Sequence, residues 1–256
     1  MHNLENIPIS PDDVFTLGSH RLICGDCRSP EVIASLVQTD AIDLIVTDPP
    51  YGVAAVEGKE AFGNLMASHS VILNDHLQSD AEYRQFTADW LLAIKPYVAK
   101  KNSIYAFNSD KMLFPLRDGM LDARCHFGQL LIWLKTQAVV GRLDYLPQHE
   151  LIAYGWIGTH RFHKSKDKSL LICPRPSKSS LHPTMKPVGL LRRLILNSSK
   201  VGDTLFDGFG GSGSTLMACE DTKRKCLMAE LDPEYCLTII NRFEKATGIK
   251  ASKENV

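Results

Sequence analysis

The stretch that decides the fold is Gly202-Asp203-Thr204-Leu205-Phe206-Asp207-Gly208-Phe209-Gly210-Gly211-Ser212-Gly213-Ser214-Thr215. It predicts a short apolar strand, a glycine turn and the start of a helix that continues through Leu216-Met217-Ala218-Cys219. The next predicted strand, Lys225-Cys226-Leu227-Met228-Ala229-Glu230, carries an acid at its end. Strand, turn, helix and strand in this order indicate an α/β protein with a parallel sheet.

The glycine turn has the character of a nucleoside site. Glycines let the backbone approach a ligand closely, and a helix starting near Ser214 points N–H groups at it. Glu230 follows Gly211 at the spacing of about twenty residues that places an acid on ribose hydroxyls. The turn lacks the third glycine that a dinucleotide pyrophosphate needs. These features favour a nucleoside without a pyrophosphate, and S-adenosylmethionine fits.

A second segment combines a buried strand with a stiff polar turn. The predicted strand Ile42-Asp43-Leu44-Ile45-Val46-Thr47 runs into Asp48-Pro49-Pro50-Tyr51. Each proline fixes φ and lacks an N–H, so the carbonyls of Asp48 and Pro49 stand beside an aromatic ring without local donors. This set of acceptors suits a planar group that carries an NH₂, such as a nucleobase. The four residues alone also fit a plain structural turn.

Other patterns predict further elements of an alternating α/β chain. The strand around His20–Asp26 and a helix from Pro30 to about Val37 precede the Asp48 strand. Later elements are a helix from Asp80 to about Val98, strands at 103–107, 129–133 and 151–154, helices near 111–121 and from Pro187, and a last helix from Pro233 to about Lys245. Residues 52–79 lack periodicity and are predicted to form a long loop, and the first dozen residues an extended lead-in.

Charge is balanced overall but not locally. The chain has 256 residues, 44% of them hydrophobic, with 29 basic and 29 acidic side chains. The segment from His160 to Lys186 contains one acid, Asp167, and seven basic residues: Arg161, Lys164, Lys166, Lys168, Arg175, Lys178 and Lys186. A solvated loop is the ordinary interpretation, but the contrast with a neutral chain favours contacts with phosphates.

Cysteine usage and hydropathy indicate a cytoplasmic location. Seven scattered cysteines favour reduced thiols, and neither a signal peptide nor a membrane-spanning run is expected. The pair Cys24 and Cys27 lacks partners at metal-ligand spacing, so no metal is expected. His149-Glu150 is interpreted as orienting the strand that follows and the pocket wall rather than as a catalytic pair.

The motifs together resemble those of the amino-DNA methyltransferases. Asp48-Pro49-Pro50-Tyr51 precedes an element of the form Phe209-x-Gly211-x-Gly213, which is the motif order of the β class. His182-Pro183-Thr184-Met185-Lys186-Pro187 is similar to the family's HPTQKP segment, and Glu230-Leu231-Asp232-Pro233 to its acid-led strand. Two positions depart from the pattern: Gly208 replaces a proline and Met185 a glutamine. The resemblance covers roughly residues 17–248.

The resemblance implies a fold and a division of the chain. The fold is the Rossmann-like seven-stranded methyltransferase sheet, mostly parallel with one antiparallel edge strand, with helices on both faces. One catalytic domain spans 1–256, with the catalytic motif in 17–155, a target-recognition insert at 156–181 and a cofactor-binding half at 182–248. Duplex DNA is the expected partner, and a homodimer is expected because the family often forms one.

The resemblance also assigns residues. Asp48, Pro49, Pro50 and Tyr51 are the catalytic set. Asp207 and Lys186 are expected at the methionine end of the cofactor, Glu230 at the ribose and Asp26 at a neighbouring strand end. The remaining cofactor residues are Phe209, Gly211, Ser212, Gly213, Ser214, Thr215, Thr184 and His182. The residues expected to bind DNA are Arg161, Lys164, Lys166, Lys168, Arg175 and Lys178.

The target base is taken from the resemblance alone. Asp before Pro-Pro-Tyr is typical of adenine enzymes and Ser of cytosine enzymes, so N6 of adenine is the predicted target and N4 of cytosine the alternative. Three other classes stay open from the residues: a methyltransferase for RNA or protein amides, an NAD-dependent oxidoreductase and a noncatalytic DNA-binding protein.

Overall fold

The computed structural model of the protein describes residues 8–51, 78–138, 144–163, 167–174 and 185–254. The α-helices in these residues are α1 (Pro30–Val37), α2 (Asp80–Ile94), α3 (Leu113–Asp122), α4 (Val188–Ser198), α5 (Ser214–Thr222) and α6 (Pro233–Thr247), with a 3₁₀ turn at Lys95–Tyr97. The strands are β1 (Val14–Leu17), β2 (His20–Cys24), β3 (Ile42–Thr47), β4 (Val98–Asn108), β5 (His126–Leu134), β6 (His149–Trp156), β7 (Thr159–His160), β8 (Leu170–Ile172), β9 (Thr204–Asp207), β10 (Lys225–Glu230) and β11 (Ser252–Lys253).

The strands form one mixed sheet in the order β11-β1-β2-β10-β9-β3-β4-β6-β5-β8, and β7 pairs with β4 at its beginning. The run β2-β10-β9-β3-β4 is parallel throughout. Strand β6 is antiparallel to both of its neighbours, β4 and β5. The seven strands from β2 to β5 are therefore the Rossmann-like methyltransferase sheet that the sequence predicts.

Two details of the predicted sheet are wrong. The described residues contain eleven strands rather than seven, because β1, β11 and β8 extend the edges and β7 is a short addition. The antiparallel strand of the seven is not at an edge but lies between β4 and β5, and β1 adds antiparallel pairings with β2 and β11. Short edge strands are weakly marked in sequence, since their pairing comes from distant segments. Strand β11, for example, pairs with β1.

Helix boundaries follow local signals in the sequence. The Ser29 side chain caps α1 ahead of Pro30, and Asp232 caps α6 ahead of Pro233. Helix α2 begins with a capping box in which Ser79 and Glu82 satisfy each other's backbone N–H. These caps explain why the predicted starts of the three helices agree with the structure.

Helices cover both faces of the sheet, so the central strands are buried on each side. One apolar cluster joins the sheet to α1, α2 and α3, and includes Phe86 and Trp90. The other joins it to α4, α5 and α6, and includes Leu194 and Phe243. In β3 every residue except Asp43 is buried, which fixes the position of the Asp48 turn at the end of that strand. None of the described helices is both long and apolar enough to span a bilayer.

Candidate active site

The carboxyl ends of β2, β3, β9 and β10 meet at one edge of the sheet and form a single pocket. The pocket is lined by Asp48 to Tyr51 after β3, by the turn from Asp207 to Ser212 after β9, and by Glu230 at the end of β10. Strand β9 belongs to the late half of the chain and β3 to the early half, and the two are neighbours in the sheet. Ligands of open α/β sheets bind at such a switch in strand order. The predicted catalytic and cofactor motifs thus lie in the same cavity.

Both oxygens of the Asp48 carboxylate accept hydrogen bonds inside the pocket. The Tyr51 hydroxyl donates to Oδ1 at 2.8 Å, and the Lys186 ammonium donates to Oδ2. Burial raises the pKa of Asp48, and the charge of Lys186 opposes that shift. Tyr51 itself is held neutral, because burial and the nearby carboxylates raise the pKa of its hydroxyl well above the ordinary value.

Two further charged side chains, Glu150 and Lys135, complete this polar cluster. Glu150 pairs with Lys135 at 2.8 Å and with Lys186 at 3.2 Å, and its Oε2, 3.1 Å from the Tyr51 oxygen, shares the single Tyr51 hydroxyl proton with Asp48 Oδ1. Burial acts to raise the pKa of Glu150, but the charges of Lys186 and Lys135 outweigh it and hold the pKa at about 2. Burial acts to lower the pKa of Lys186, and Asp48 and Glu150 outweigh it, so the pKa of the ammonium is raised. Glu150 and Lys186 are therefore both charged at neutral pH, and their ion pairs hold them in place beside Asp48.

Lys186 lies on the Asp48 side of the pocket. Its ammonium nitrogen contacts Asp48, Glu150 and the Tyr51 hydroxyl, and it lies 5.1 Å from the centre of the Phe107 ring. The role expected from the resemblance, holding the methionine end together with Asp207, has no counterpart among these contacts.

Asp207 is joined to the catalytic turn through Thr47, the residue before Asp48. The Thr47 hydroxyl donates to Asp207 Oδ1 at 2.8 Å and accepts from the Gly208 N–H at 3.2 Å. The Phe209 N–H also donates to Asp207 Oδ1, at 3.1 Å. Burial raises the pKa of Asp207 to about 7 despite these donors. Thr47 thus fixes the relative position of the two motifs, a contact between residues that are distant in sequence.

Glu230 ties the glycine turn to the following turn. Its Oε2 accepts from the Gly211 N–H at 2.6 Å and its Oε1 from the Asp232 N–H at 2.9 Å. Gly211 and Gly213 have φ of 51° and 75°, in the left-handed region that disfavours other residues. The Gly211 N–H therefore points at a carboxylate of the protein rather than at a ligand. A carboxylate accepts about four hydrogen bonds, so Glu230 keeps acceptor capacity toward the pocket.

The pKa of Glu230, like that of Asp207, is raised to about 7 by burial, from ordinary values of 4.5 and 3.8. Between about pH 4.5 and 7 the folded state therefore keeps protons that the unfolded chain has released. The free energy of unfolding is expected to fall as pH rises through this window, by up to about 1.4 kcal/mol per pH unit for each group. Glu150, whose pKa is lowered to about 2, affects the free energy of unfolding in the opposite direction. Its stabilising contribution is lost only as pH falls below about 4.5.

Urea unfolding of the ligand-free protein at several values between pH 5 and 7.5 measures this slope. The variant Asp207→Asn removes one of the two groups and is expected to flatten the curve. Asp122→Asn, a change in an exposed ion pair with Arg84, is the matched control and should leave the slope unchanged. An equal slope in Asp207→Asn and the native protein would contradict the assignment.

The other predicted cofactor residues lie at the pocket with different functions. The centre of the Phe209 ring lies 5.7 Å from that of Phe86 and 6.1 Å from that of Trp90, so these contacts anchor the glycine turn to α2. Ser212, Ser214 and Thr215 line the cavity, while Gly213 forms the N-terminal cap position of α5. Asp26 also lines the cavity, but its carboxylate is paired with Arg28 at 2.6 Å.

Arg161, expected from the sequence to bind DNA, is held in an ion-pair cluster, and its DNA contact stays a prediction. Its guanidinium pairs with Asp43 at 2.7 Å and with Asp203 at 2.8 Å. Asp43 lies at the start of β3 and Asp203 just before β9, so this cluster is at the amino ends of the strands, away from the pocket at their carboxyl ends. Two half-buried carboxylates that the fold brings together need a cation. Lys168, by contrast, is exposed.

Replacing Arg161 is expected to reduce stability. Arg161→Ala leaves Asp43 and Asp203 close together without their counter-ion, which should lower the free energy of unfolding by about 1–3 kcal/mol. Arg84→Ala, which breaks an exposed pair, should cost less than about 1 kcal/mol. Denaturant unfolding compares the two, and DNA affinity per folded molecule should change in neither. A selective loss of DNA affinity in Arg161→Ala would restore the original assignment.

Several predicted features lie outside the described residues. They are most of the predicted loop (52–77), Lys164, Lys166, Arg175, Lys178, His182 and Thr184. Within the residues that the structure does describe, no group of three or more His, Cys, Asp or Glu side chains is arranged to hold a metal ion. Cys24 and Cys27 are buried free thiols there.

The contacts of the cluster add two residues that sequence reasoning did not assign to the site, Thr47 and Lys135, and they give Glu150, interpreted from the sequence as orienting the pocket wall, defined partners. For Glu150 a signal was present. His149 and Glu150 begin β6, and because β6 is antiparallel its start lies at the edge where the parallel strands end. Lys135 follows the end of β5 and reaches the same edge. Recognising β6 as the antiparallel strand places Glu150 at the edge of the sheet where the pocket lies, beside Tyr51 and Lys186.

Comparison with known proteins identifies relatives. The family model of the N6 and N4 DNA methylases matches residues 156–241, which include the glycine turn and Glu230. The chain is 26% identical over 242 residues to the type II methyltransferase M.HpaI of Haemophilus parainfluenzae, covering 84% of this chain and 71% of that protein. It is 27% identical over 240 residues to M.HinfI of Haemophilus influenzae, covering 84% and 65%.

Solved structures share the fold. The M1.HpyAVI–SAM complex superposes with a TM-score of 0.63 at 21% identity, covering 86% of this chain and 98% of that one. The cytosine-N4-specific PvuII DNA methyltransferase gives a TM-score of 0.69 at 16% identity, covering 89% and 87%. The fold is the Rossmann-like α/β fold of these methyltransferase structures. With the two motifs in the order described, the chain is similar to the amino-DNA methyltransferases, a likeness that the family model and both relatives support.

Proposed function

We propose that the protein transfers the methyl group of S-adenosylmethionine to the 6-amino group of an adenine flipped out of duplex DNA. One observation carries the proposal: the acceptor cluster at Asp48 and Tyr51 shares a cavity with the turn from Asp207 to Ser212 and with Glu230. A site that accepts an amine and a site that binds a nucleoside open into the same cavity. They can therefore bring an amine and a methyl donor together, which is the main requirement of such a transfer.

The residues of the late half fit the cofactor by charge. S-adenosylmethionine carries a sulfonium and an ammonium, and when bound it supplies an electrophilic methyl group. Asp207 and Glu230 are buried carboxylates whose pKa is raised to about 7 by burial, so a cation beside them is stabilised by their ionised forms. We assign Glu230 to the ribose hydroxyls and Asp207 to the methionine end. Ser212, Ser214, Thr215 and Phe209 form the wall around them.

The Asp48 turn would hold and activate the amine. The lone pair of an exocyclic amine is delocalised into its ring, which makes the nitrogen a poor nucleophile. Hydrogen bonds from the NH₂ to the Asp48 carboxylate and the Pro49 carbonyl favour tetrahedral geometry at nitrogen and return the lone pair to it. Pro50 keeps the turn rigid, and Tyr51 packs against the base while its hydroxyl orients Asp48. Preorganised acceptors of this kind act without reorganising during the reaction.

The substrate reaches this pocket only outside the duplex. Extruding a base costs a few kcal/mol, which contacts in the pocket must offset. We assign the DNA backbone to the basic segment, with Lys164, Lys166, Lys168, Arg175 and Lys178 as the phosphate contacts and residues 156–181 as the target-recognition insert. A homodimer and a cytoplasmic site of action complete the proposal.

Cytosine N4 is the second candidate, because the family model covers both N6 and N4 enzymes. The deciding experiment incubates the purified protein with S-adenosylmethionine labelled in the methyl group and, separately, with duplex DNA, RNA and a protein mixture. Label in DNA is expected, and nucleoside analysis of the digested DNA should give N6-methyladenine. N4-methylcytosine would select the alternative, and label only in RNA or protein would overturn DNA as the substrate.

A further inference from the structure

The side chains around Asp48 form a row of alternating charges: Lys135, Glu150, Lys186 and Asp48. Successive members are in contact, at 2.8 Å for the first pair, 3.2 Å for the second and at hydrogen-bond distance for the third. The exposed fractions of the four side chains are 8%, 20%, 7% and 26% in the same order. Two cations and two anions balance, so the row is neutral as a whole and each buried charge has a partner.

Lys186 uses its donors at the place where the target amine has to bind. An ammonium has three N–H groups, and those of Lys186 face Asp48 Oδ2, Glu150 Oε2 and the Tyr51 hydroxyl. Asp48 Oδ1 accepts from the Tyr51 hydroxyl, so each oxygen of the carboxylate has one donor from the protein. In the substrate-free protein the ammonium nitrogen therefore occupies a donor position on the carboxylate that the amino group of a base would take.

Glu150 gives the ammonium a second carboxylate. Its Oε2 lies 3.2 Å from the Lys186 nitrogen, so a small rotation of the lysine side chain exchanges one anion for the other. Its Oε1 is held by Lys135, which keeps the carboxylate facing the lysine. A buried lysine that lost Asp48 without such a partner would be strongly disfavoured.

We propose that Lys186 covers Asp48 while the target pocket is empty and moves onto Glu150 when the target amine binds, with Lys135 holding Glu150 in position. Lys186, Glu150 and Lys135 are then positioning residues that act through Asp48. This inference rests on the proposed function, since it takes Asp48 as the acceptor of the target amine. It replaces the expectation that Lys186 holds the methionine end of the cofactor.

The kinetic test uses Glu150→Gln, which keeps the shape but removes the receiving charge. Lys186 then has Asp48 as its only anionic partner among the described residues, and kcat/KM for DNA should fall about tenfold to a hundredfold, with cofactor affinity within about twofold of the native value. Adding Lys186→Met to Glu150→Gln uncovers Asp48 and should raise kcat/KM above that of the single Glu150→Gln variant. Asp122→Asn, an exposed carboxylate-to-amide change, is the control and should behave as the native protein.

Two outcomes overturn the proposal. One is a double variant no more active than Glu150→Gln, which indicates that Lys186 does not obstruct Asp48. The other is a selective loss of cofactor affinity in Lys186→Met, measured by calorimetry, which returns the lysine to the methionine end.

A structural measurement is independent of activity. In a crystal structure of Asp48→Asn, residue 48 no longer carries a charge, and the Lys186 nitrogen is expected closer to Glu150 than 3.2 Å and away from residue 48. An ammonium that stays on the amide at position 48 or turns to solvent contradicts the transfer. If this structure shows the movement while the native protein methylates no DNA, the proposed function fails and the movement of Lys186 stands.

Discussion

Methyl transfer is expected to fall at least about a thousandfold in Asp48→Ala, with cofactor affinity retained. The variant removes the carboxylate that receives the target NH₂, and removing one preorganised polar group from an active site costs about a hundredfold to a thousandfold. Asp48 also anchors the Tyr51 hydroxyl and the Lys186 ammonium, so its loss disturbs the acceptor cluster as well. The cofactor contacts assigned to Glu230 and Asp207 do not depend on it.

Single-turnover transfer of labelled methyl groups to duplex DNA measures this effect, and calorimetry with S-adenosylmethionine measures the retained affinity. Asp48→Asn tests charge against shape, because an amide offers one acceptor in place of a carboxylate and adds donors that oppose an amine. It should be nearly as inactive as Asp48→Ala. More than about a tenth of native activity in either variant would refute Asp48 as the amine acceptor.

The second large effect is expected at Glu230. Glu230→Ala removes the acceptor assigned to the ribose and also releases the Gly211 and Asp232 N–H groups that the carboxylate holds at 2.6 Å and 2.9 Å. Hydrogen bonds to a charged group contribute about 1.5–3 kcal/mol each, so cofactor affinity should fall about a hundredfold or more. At saturating cofactor, much of the transfer rate should return, because Asp48 is untouched.

Glu234→Ala is the matched control, since it removes an exposed acid from the first turn of α6. Its cofactor affinity should equal that of the native protein. Circular dichroism and urea unfolding of both variants separate loss of the ligand from loss of the fold. A native dissociation constant in Glu230→Ala would remove Glu230 from the cofactor site and leave it as a structural link between two turns.

The predictions that succeeded depend on short-range physics. The strand before Asp48 was predicted because its residues are apolar and β-branched, and those residues are buried in β3. The starts of α1 and α6 follow from a capping side chain and a proline at adjacent positions. Helix α2 shows the same relation, because Tyr83, Phe86, Trp90, Leu91 and Ile94 follow helical spacing and all are buried.

The features that the sequence did not show required knowledge of distant partners. The ion pairs of Arg161 are an example, because charge patterns in a sequence do not show which cations already have anions, and its anions Asp43 and Asp203 are on other elements. The edge strands β1 and β11 were missed because both are short, and their pairing joins the two ends of the described chain.

By itself the sequence determined the class of fold, the two motifs and their order, since glycine turns, proline-stiffened turns and helix caps are local properties of the backbone. It also determined which strand each motif would follow. Only the tertiary structure decided which charges surround Asp48. Lys135, Glu150 and Lys186 come from three different segments and meet because parallel strands end, and the antiparallel β6 begins, at the same edge of the sheet. The strength of a charge interaction depends on distance and burial in space, and neither is encoded in the spacing of these residues along the chain.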